Sequence, residues 1–291
     1  MICLTIALAR PQTGIEQIRE ITQGIAIEMV VDRSGSMGAE MRYQGEQMNR
    51  LEVVKNVFTE FALGNGQDLP GRSTDLIGII SFARYPDTTC PLTLAHGALA
   101  PFIESIKLVQ DRAEDGTAIG DALALAAARL KTADETTALQ KKMGIEPYRI
   151  KSKVIILLSD GKNNSGRRDP LQAAEIAAEW GIRIYAIGIG GGEAATSIRT
   201  PFGVYKLPMR QGVDVNTLEA VAKKTGGFFR MAEDDQSLRE IYEEIDRMEK
   251  TEIESFKFVN YKEAFLPFIV AVLFLTGLEI LLTETIFRKI P

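Results

Sequence analysis

Apolar residues in the central part of the chain occur in two patterns, continuous runs and stretches with helical spacing. Continuous apolar runs predict buried strands at 24–32, 75–83, 153–160 and 182–190, with a shorter one at 226–232. Apolar residues three or four positions apart predict helices over 51–63, 94–106, 117–131, 171–180, 215–224 and 235–250. Apolar strands that alternate with helices are typical of a parallel sheet covered on both faces. We therefore predict an α/β fold with a doubly wound, mostly parallel sheet.

A long apolar stretch near the end of the chain departs from this alternation. Ala264–Leu278 contains no charged residue, and the stretch continues to Phe287 past Glu279 and Glu284. As a helix, the 24 residues of 264–287 would be about 36 Å long, which exceeds the roughly 30 Å of a bilayer's hydrocarbon core. We predict a transmembrane helix over 264–287; the alternative is a helix buried in a protein core.

The remaining segments are divided by hydropathy. Residues 1–10 are apolar but too short to span a bilayer, and we interpret them as the remnant of a membrane helix. Linkers are predicted at 11–21 and 251–263, on either side of one domain over 22–250. Within that domain, the strand and helix alternation breaks near 191–213, which indicates a hairpin insertion.

Composition excludes several classes of protein and of site. The 34 basic and 39 acidic residues give a formal net charge of −5, which argues against nucleic acid as a partner. Two cysteines and a single histidine, His96, are too few for a disulfide framework or a site built on paired histidines. A metal site in this chain is therefore expected to use oxygen ligands.

Oxygen-bearing side chains lie at the edge of the predicted sheet where a ligand would bind. The first strand of the domain ends at Asp32 and is followed by Ser34 and Ser36. Another strand ends at Asp160, and Thr117 precedes an alanine-rich helix. Because ligands of open α/β sheets bind beyond the carboxyl ends of the strands, these five side chains are expected to converge. Such a set suits Mg²⁺ or Mn²⁺, with Ca²⁺ behind them, and not zinc.

Three interpretations of these residues stay open. A bound ion with few protein ligands leaves positions for water or an outside carboxylate, which favours a protein-binding module that is not an enzyme. Asp32 could instead act with the ion in a metal-dependent hydrolase, although Ser34 stands where a second acid would be expected. The same side chains could also only cap helix starts.

The order of these motifs resembles the von Willebrand factor type A domain with its metal-ion-dependent adhesion site. The motifs are DRSGS at 32–36, DGT at 115–117 and SDG at 159–161. The resemblance implies that Ser34, Ser36 and Thr117 bind the metal directly. It also implies that Asp32 and Asp160 act mainly through water molecules.

Segments along the whole chain resemble BatA-type membrane proteins of the aerotolerance operon. They are RPQTG, GIAIEMVVDRSGSM, DGTAIGDAL, TPFG, VDVNTLEAVAKKTGG, EIYEEIDRMEKTE and LEILLTETIFRKIP. The resemblance implies a docking module of a cell-envelope complex at the inner membrane. It implies partners bound through an acidic residue, namely other type A proteins, tetratricopeptide-repeat proteins and a MoxR-type AAA+ ATPase system. A cell-surface adhesin is an alternative that the lack of a secretion signal disfavours.

Basic residues next to the apolar stretch bear on membrane orientation. Arg288 and Lys289 directly follow it and favour a cytoplasmic C-terminus, whereas Lys257, Lys262 and Arg10 argue the other way. Because Arg288 and Lys289 directly adjoin the stretch, we give them more weight and expect a cytoplasmic C-terminus. The type A domain, on the other side of the membrane helix, is then expected to lie outside the cytoplasm.

Two further charged features carry expectations. Glu28 stands inside the apolar run 24–32, and because an unpaired buried carboxylate is costly, it should lie near a lysine, an arginine or solvent. Lys162, Arg167 and Arg168 follow Asp160 and could steer an acidic partner; the alternative is a solvated loop.

Overall fold

The computed structural model describes residues 12–14, 23–66, 68–143, 148–190, 195–200, 203–208, 213–250, 261–263 and 266–285. The chain forms two compact units, one over Ile21–Glu254 and one that combines Met1–Glu20 with Ser255–Pro291. The predicted apolar segment 1–10, and most of the predicted linkers 11–21 and 251–263, lie outside the described residues.

The described strands are β1 (Gln12–Gly14), β2 (Gln23–Asp32), β3 (Glu40–Tyr43), β4 (Glu46–Asn49), β5 (Leu76–Phe82), β6 (Pro86–Thr93), β7 (Arg149–Ser159), β8 (Ile182–Ile189), β9 (Ala195–Thr200), β10 (Gly203–Pro208), β11 (Phe229–Ala232) and β12 (Tyr261–Glu263). The described α-helices are α1 (Arg50–Leu63), α2 (Leu99–Ser105), α3 (Ile119–Lys142), α4 (Pro170–Glu179), α5 (Val215–Lys224), α6 (Asp235–Lys250) and α7 (Leu266–Thr285). Short 3₁₀ helices lie at Gly35–Gly38 and His96–Ala98.

A six-stranded sheet forms the centre of the larger unit, in the order β11–β8–β7–β2–β5–β6. β6 pairs antiparallel with β5, and the other four pairings are parallel. The prediction of an α/β fold with a mostly parallel sheet is therefore confirmed. Sequence reasoning missed β6, whose sequence PDTTCPLT has no apolar run and two prolines. Strands tolerate proline at a sheet edge, which is where β6 lies.

Alternate residues of β2 enter two separate cores. Ile27 and Met29 pack on one face of the sheet, in a core that includes side chains of α1 and α6. Ala26 and Val30 pack on the other face, in a core that includes side chains of α3, α4 and α5. Helices thus cover both faces, as the continuous apolar strands predicted.

The starts of three helices are capped by side chains. Asn49 accepts a hydrogen bond from the Glu52 backbone N–H at 2.8 Å and caps α1. Asp169 caps α4, where Pro170 occupies the first helical turn. Because proline has no backbone N–H, this position needs no hydrogen-bond partner. Asp214 caps α5 by accepting from a backbone N–H at 3.3 Å.

A hairpin of β3 and β4 lies between the 3₁₀ helix at Gly35–Gly38 and α1. Its antiparallel register runs from Glu40↔Asn49 to Tyr43↔Glu46. The turn residues Gln44 and Gly45 both have positive φ angles, 50° and 88°, as tight hairpin turns require. The sequence pattern did not reveal this hairpin because its strands are short and largely polar.

The surroundings of Glu28 differ from the prediction that it lies near a lysine, an arginine or solvent. The side chain has no solvent exposure, and neither carboxyl oxygen has a hydrogen-bond partner in the described residues. A Cβ at Gly78, its neighbour in β5, would lie 2.7 Å from both oxygens, so the missing side chain of this glycine makes the space. Burial raises the pKa of Glu28 to about 8, and the charge of Arg129 opposes that rise. Within the part of the chain that the structure describes, the carboxyl group has no hydrogen bond, and its raised pKa favours the neutral acid at pH 7.

The last turn of α6 is fixed to the sheet through a buried carboxylate. Glu249, 1% exposed, accepts hydrogen bonds from Ser152 Oγ at 2.8 Å and from Tyr185 OH at 2.6 Å. Arg183 forms an ion pair with it at 2.9 Å. Since Ser152 lies in β7 and the other two in β8, α6 is joined to two central strands.

The remaining described elements bear on the predicted insertion and membrane helix. β9 and β10 pair antiparallel within the range predicted for the insertion. β1 pairs antiparallel with β12. α7 occupies most of the stretch 264–287. Of the helices that the structure describes, none combines the length and apolar character needed to cross a bilayer, so the transmembrane helix stays a prediction.

Candidate metal centre

Four of the five predicted site residues lie at the ends of the two central strands. Asp32 is the last residue of β2, and Ser34 and Ser36 follow in the turn that contains the 3₁₀ helix. Asp160 directly follows β7. Because β2 and β7 are parallel neighbours, their carboxyl ends lie side by side.

These four side chains are linked by hydrogen bonds. Ser36 Oγ–H donates to Asp160 Oδ1 at 2.6 Å, and Ser34 Oγ lies 3.0 Å from Ser36 Oγ. Asp32 Oδ1 accepts from the Ser34 backbone N–H at 2.9 Å. Two hydroxyls and two carboxylates therefore lie within a few ångströms of one another.

Thr117 reaches the same edge of the sheet from the segment before α3. A Cβ at Gly161, directly after Asp160, would lie 3.1 Å from Thr117 Oγ1. The Thr117 backbone N–H donates to Asn164 Oδ1 at 2.8 Å, and the Asn164 N–H donates to the Thr117 carbonyl at 3.0 Å. These bonds hold the segment after β7 against the start of α3, so all five predicted residues lie together.

Two other side chains position the predicted ligands, and the sequence motifs contained both without revealing their roles. Ser159 Oγ–H donates to Asp32 Oδ2 at 2.6 Å. Asp115 Oδ1 accepts from the backbone N–H of Gly35 at 2.9 Å and of Gly116 at 3.0 Å. The first bond orients a buried carboxylate, and the other two tie the turn of Gly35 to the segment before α3.

The two carboxylates of the site are fully buried. Burial raises the pKa of Asp32 to about 7, with the negative charge of Asp160 adding to the rise and hydrogen bonds from Ser159 and Ser34 opposing it. Desolvation and like charge both disfavour the ionised form of a carboxyl group. A cation at this position would relieve both effects.

Arg50, which the sequence analysis missed, provides one positive charge at the site. Its Nη1 lies 2.6 Å from Asp160 Oδ2, and the arginine is 6% exposed. Gly190, at a φ of 105°, makes room for the guanidinium, because a Cβ there would lie 2.4 Å from Nη2. Arginine at the first position of a helix opposes the helix dipole, which indicates that Arg50 needs a carboxylate partner, but this signal does not identify Asp160.

The donor set fits a hard divalent cation. Among the residues that the structure describes, no group of three His, Cys, Asp or Glu side chains could hold a metal. A metal at this edge would therefore depend on hydroxyls as well as on Asp32 and Asp160. Hydroxyl and carboxylate oxygens are ligands of Mg²⁺ and Mn²⁺. The metal-binding roles of the five residues stay predictions.

This geometry agrees with a comparison against known families. The model of the von Willebrand factor type A domain matches residues 27–244. The chain belongs to the von Willebrand factor type A domain family. The match begins inside β2 and ends inside α6, so it includes every residue of the candidate metal centre.

Solved structures of similar proteins extend the family assignment. BatB from Bacteroides thetaiotaomicron is 26% identical, with a TM-score of 0.56, over 78% of this chain and all of that one. An aerotolerance-related membrane protein from Bacteroides fragilis is 25% identical, with a TM-score of 0.54, over 77% of this chain and all of that one. The resemblance to aerotolerance membrane proteins is confirmed.

A third solved structure shows the fold in a more distant protein. Proximal thread matrix protein 1 from the mussel byssus is 19% identical, with a TM-score of 0.50, over 84% of this chain and 49% of that one. That protein is described with zinc in its metal-ion-dependent adhesion site. At this identity the likeness shows the shared fold.

Proposed function

We propose that the protein is a membrane-associated, metal-dependent docking module of the cell envelope. Its candidate metal centre would hold Mg²⁺ or Mn²⁺ through Ser34, Ser36 and Thr117, with Asp32 and Asp160 acting mainly through water. The bound cation would supply a Lewis-acid contact for a carboxylate of a partner protein. The zinc of the mussel relative supports divalent metal binding in this family.

The observation that carries this proposal is the charge of the centre. With both carboxylates ionised, Asp32 and Asp160 contribute −2 and the paired Arg50 contributes +1, so the protein supplies −1. A divalent cation would bring the total to +1. A buried positive charge favours an anionic ligand from outside, and a side-chain carboxylate of a partner meets that need.

Hydrolysis is a poorer account of the same residues. Both oxygens of Asp32 are occupied, one by the Ser34 backbone N–H and one by the Ser159 hydroxyl, and the residue has no solvent exposure. A carboxylate in these bonds does not reach a substrate atom. The absence of hydrolysis of phosphate esters and peptides by the Mg²⁺-loaded chain is the expected result.

Membrane association is part of the proposal. It is supported by the uncharged run 264–278 and by the description of the Bacteroides fragilis relative as a membrane protein. We propose an inner-membrane location with the type A domain outside the cytoplasm. Protease added to cells with a permeabilised outer membrane should degrade the domain, whereas degradation only in inside-out vesicles would show the opposite orientation.

The proposed partners are envelope proteins that present an acidic residue. The resemblance to aerotolerance membrane proteins supports other type A proteins, tetratricopeptide-repeat proteins and a MoxR-type ATPase system as candidates. Each candidate can be tested by its capture on the immobilised chain.

The decisive experiment is capture of partners from solubilised membranes with Mg²⁺ or with EDTA. Asp32→Ala should abolish the metal-dependent capture and leave the circular dichroism spectrum unchanged. Asp87→Ala, at an exposed position in β6, is the matched control and should capture as the parent does. Equal capture by Asp32→Ala and the parent, in EDTA as in Mg²⁺, would refute the proposal.

A further inference from the structure

A groove runs between α3 and α4, on the flank of the larger unit. It encloses about 490 Å³, and its apolar lining includes Leu125 and Ala128 of α3 with Ile176 and Trp180 at α4. Leu125, Ile176 and Trp180 are partly exposed and Ala128 is exposed. We name it the α3–α4 groove. Partly exposed apolar side chains in a concave surface are typical of binding sites.

Two arginines stand at one end of the α3–α4 groove. Arg167 and Arg168 line it and are exposed. Their backbone N–H groups each donate to the Asp121 carboxylate at 2.9 Å, which fixes this segment to α3. Neither guanidinium forms an ion pair in the described part of the chain. With Asp121 counted, this end of the groove carries a net charge of +1, which is complementary to an acidic segment.

An exposed aromatic residue directly precedes one of the lining residues in the chain. Pro86 contributes to the lining, and the preceding residue, Tyr85, is 69% exposed. Aromatic residues are enriched in protein interfaces relative to the rest of the surface. Tyr85 is thus an exposed aromatic side chain next in sequence to the groove lining.

The groove and the candidate metal centre are built from the same two segments of the chain. The segment that carries both arginines begins directly after Asp160, and α3 begins two residues after Thr117. At a rise of 1.5 Å per residue, Leu125 lies about 12 Å along the helix direction from Thr117. An extended peptide advances about 3.3–3.6 Å per residue, so three or four residues cover that distance.

We propose that the α3–α4 groove docks an extended segment of the partner protein that binds the metal centre. The segment carries an acidic residue at the metal and a bulky apolar residue three or four positions away, which packs on Leu125 and Trp180. Arg167 and Arg168 contact further acidic side chains of the segment. This inference rests on the proposed metal-dependent function, and it adds the sequence spacing of the ligand.

Trp180 makes the proposal directly testable, since it is the single tryptophan of the chain and lines the groove. The probes are capped synthetic peptides with one aspartate and one leucine, at spacings of one to six, titrated into the full chain with Mn²⁺. Leucine at spacings of three and four should bind roughly tenfold more tightly than alanine at the same position. It should also change the Trp180 fluorescence, whereas spacings of one and six should show no preference for leucine.

Two variants separate the groove from the metal centre. Ala128→Glu places a charge in the groove and should remove the leucine preference while Mn²⁺ binding, measured by electron paramagnetic resonance, stays unchanged. Thr136→Glu, exposed on the same helix two turns further on, is the matched control and should keep the preference.

Three other results of these experiments would overturn the proposal. Mn²⁺ binding with equal affinity for leucine and alanine peptides at every spacing would overturn the groove and leave the metal centre standing. Failure of the parent chain to bind Mn²⁺ would overturn the proposed function itself. Self-association of the chain that Ala128→Glu abolishes and the peptides do not displace would identify a second copy as the occupant, and would also overturn the proposal.

Discussion

Replacing Glu28 by glutamine should raise the stability of the protein relative to the parent as the pH rises. The carboxyl group has a pKa of about 8 in the folded chain against 4.5 as its ordinary value. Below about pH 4.5 it is protonated in both the folded and the unfolded chain, so it adds no pH dependence there. Between these values only the unfolded chain releases the proton, so the stability of the parent falls as the pH rises, until about pH 8.

The size of the effect follows from the same two values. Each pH unit inside that window changes the free energy of unfolding by about 1.4 kcal/mol. From pH 5 to pH 7 the parent should therefore lose about 3 kcal/mol relative to Glu28→Gln. Asp32 also has a raised pKa, but its contribution is present in both proteins and cancels in the difference.

The assay is urea unfolding of the parent and Glu28→Gln at pH 5, 6, 7 and 8 in EDTA. The test measures how the difference in free energy of unfolding between the two proteins changes with pH. Burying the amide has its own cost, but that cost does not depend on pH and so does not affect the change. Glu219→Gln, at an exposed position of α5, is the control and should show a difference that does not vary with pH. A difference between parent and Glu28→Gln that is constant over this range would refute the assignment of Glu28 as a buried neutral acid.

Two further substitutions test contacts near the central strands. Arg50→Met should destabilise the chain by about 3–5 kcal/mol in EDTA, because it leaves Asp160 buried without its ion pair. In a thermal unfolding assay, saturating Mn²⁺ should restore much of that stability. An equal loss of stability with EDTA and with Mn²⁺ would contradict this prediction. Gly78→Ala should cost about 1–3 kcal/mol, since its methyl group would lie 2.7 Å from the Glu28 carboxyl oxygens. In a double-mutant cycle with Glu28→Ala this cost should fall, and strict additivity would show that the two residues do not share one space.

The sequence predicted those features that depend on local pattern. The run ending at Asp160 is apolar on both faces, which favours a buried strand of a parallel sheet. The oxygen-bearing motifs stand at strand ends, so a parallel sheet had to bring them to one edge.

The features it missed depend on contacts between distant segments. Arg50 and Asp160 are 110 positions apart, and no local pattern joins them. Glu28 was expected to lie near a basic residue or solvent, but it is buried in a space that comes from Gly78 on a neighbouring strand. β6 escaped prediction because an edge strand needs no continuous apolar run, and only its pairing with β5 makes it a strand.

The attachment of Glu249 has a mechanical consequence. Tension on the chain beyond α6 would reach this residue first, and its three bonds would pass the load to β7 and β8. A helix pulled from its free end unwinds one turn at a time, whereas strands loaded along their length must break their hydrogen bonds together. The pull would therefore be transmitted to the sheet. Because β7 also leads to Asp160, traction on the chain and the binding of a partner act on the same strand.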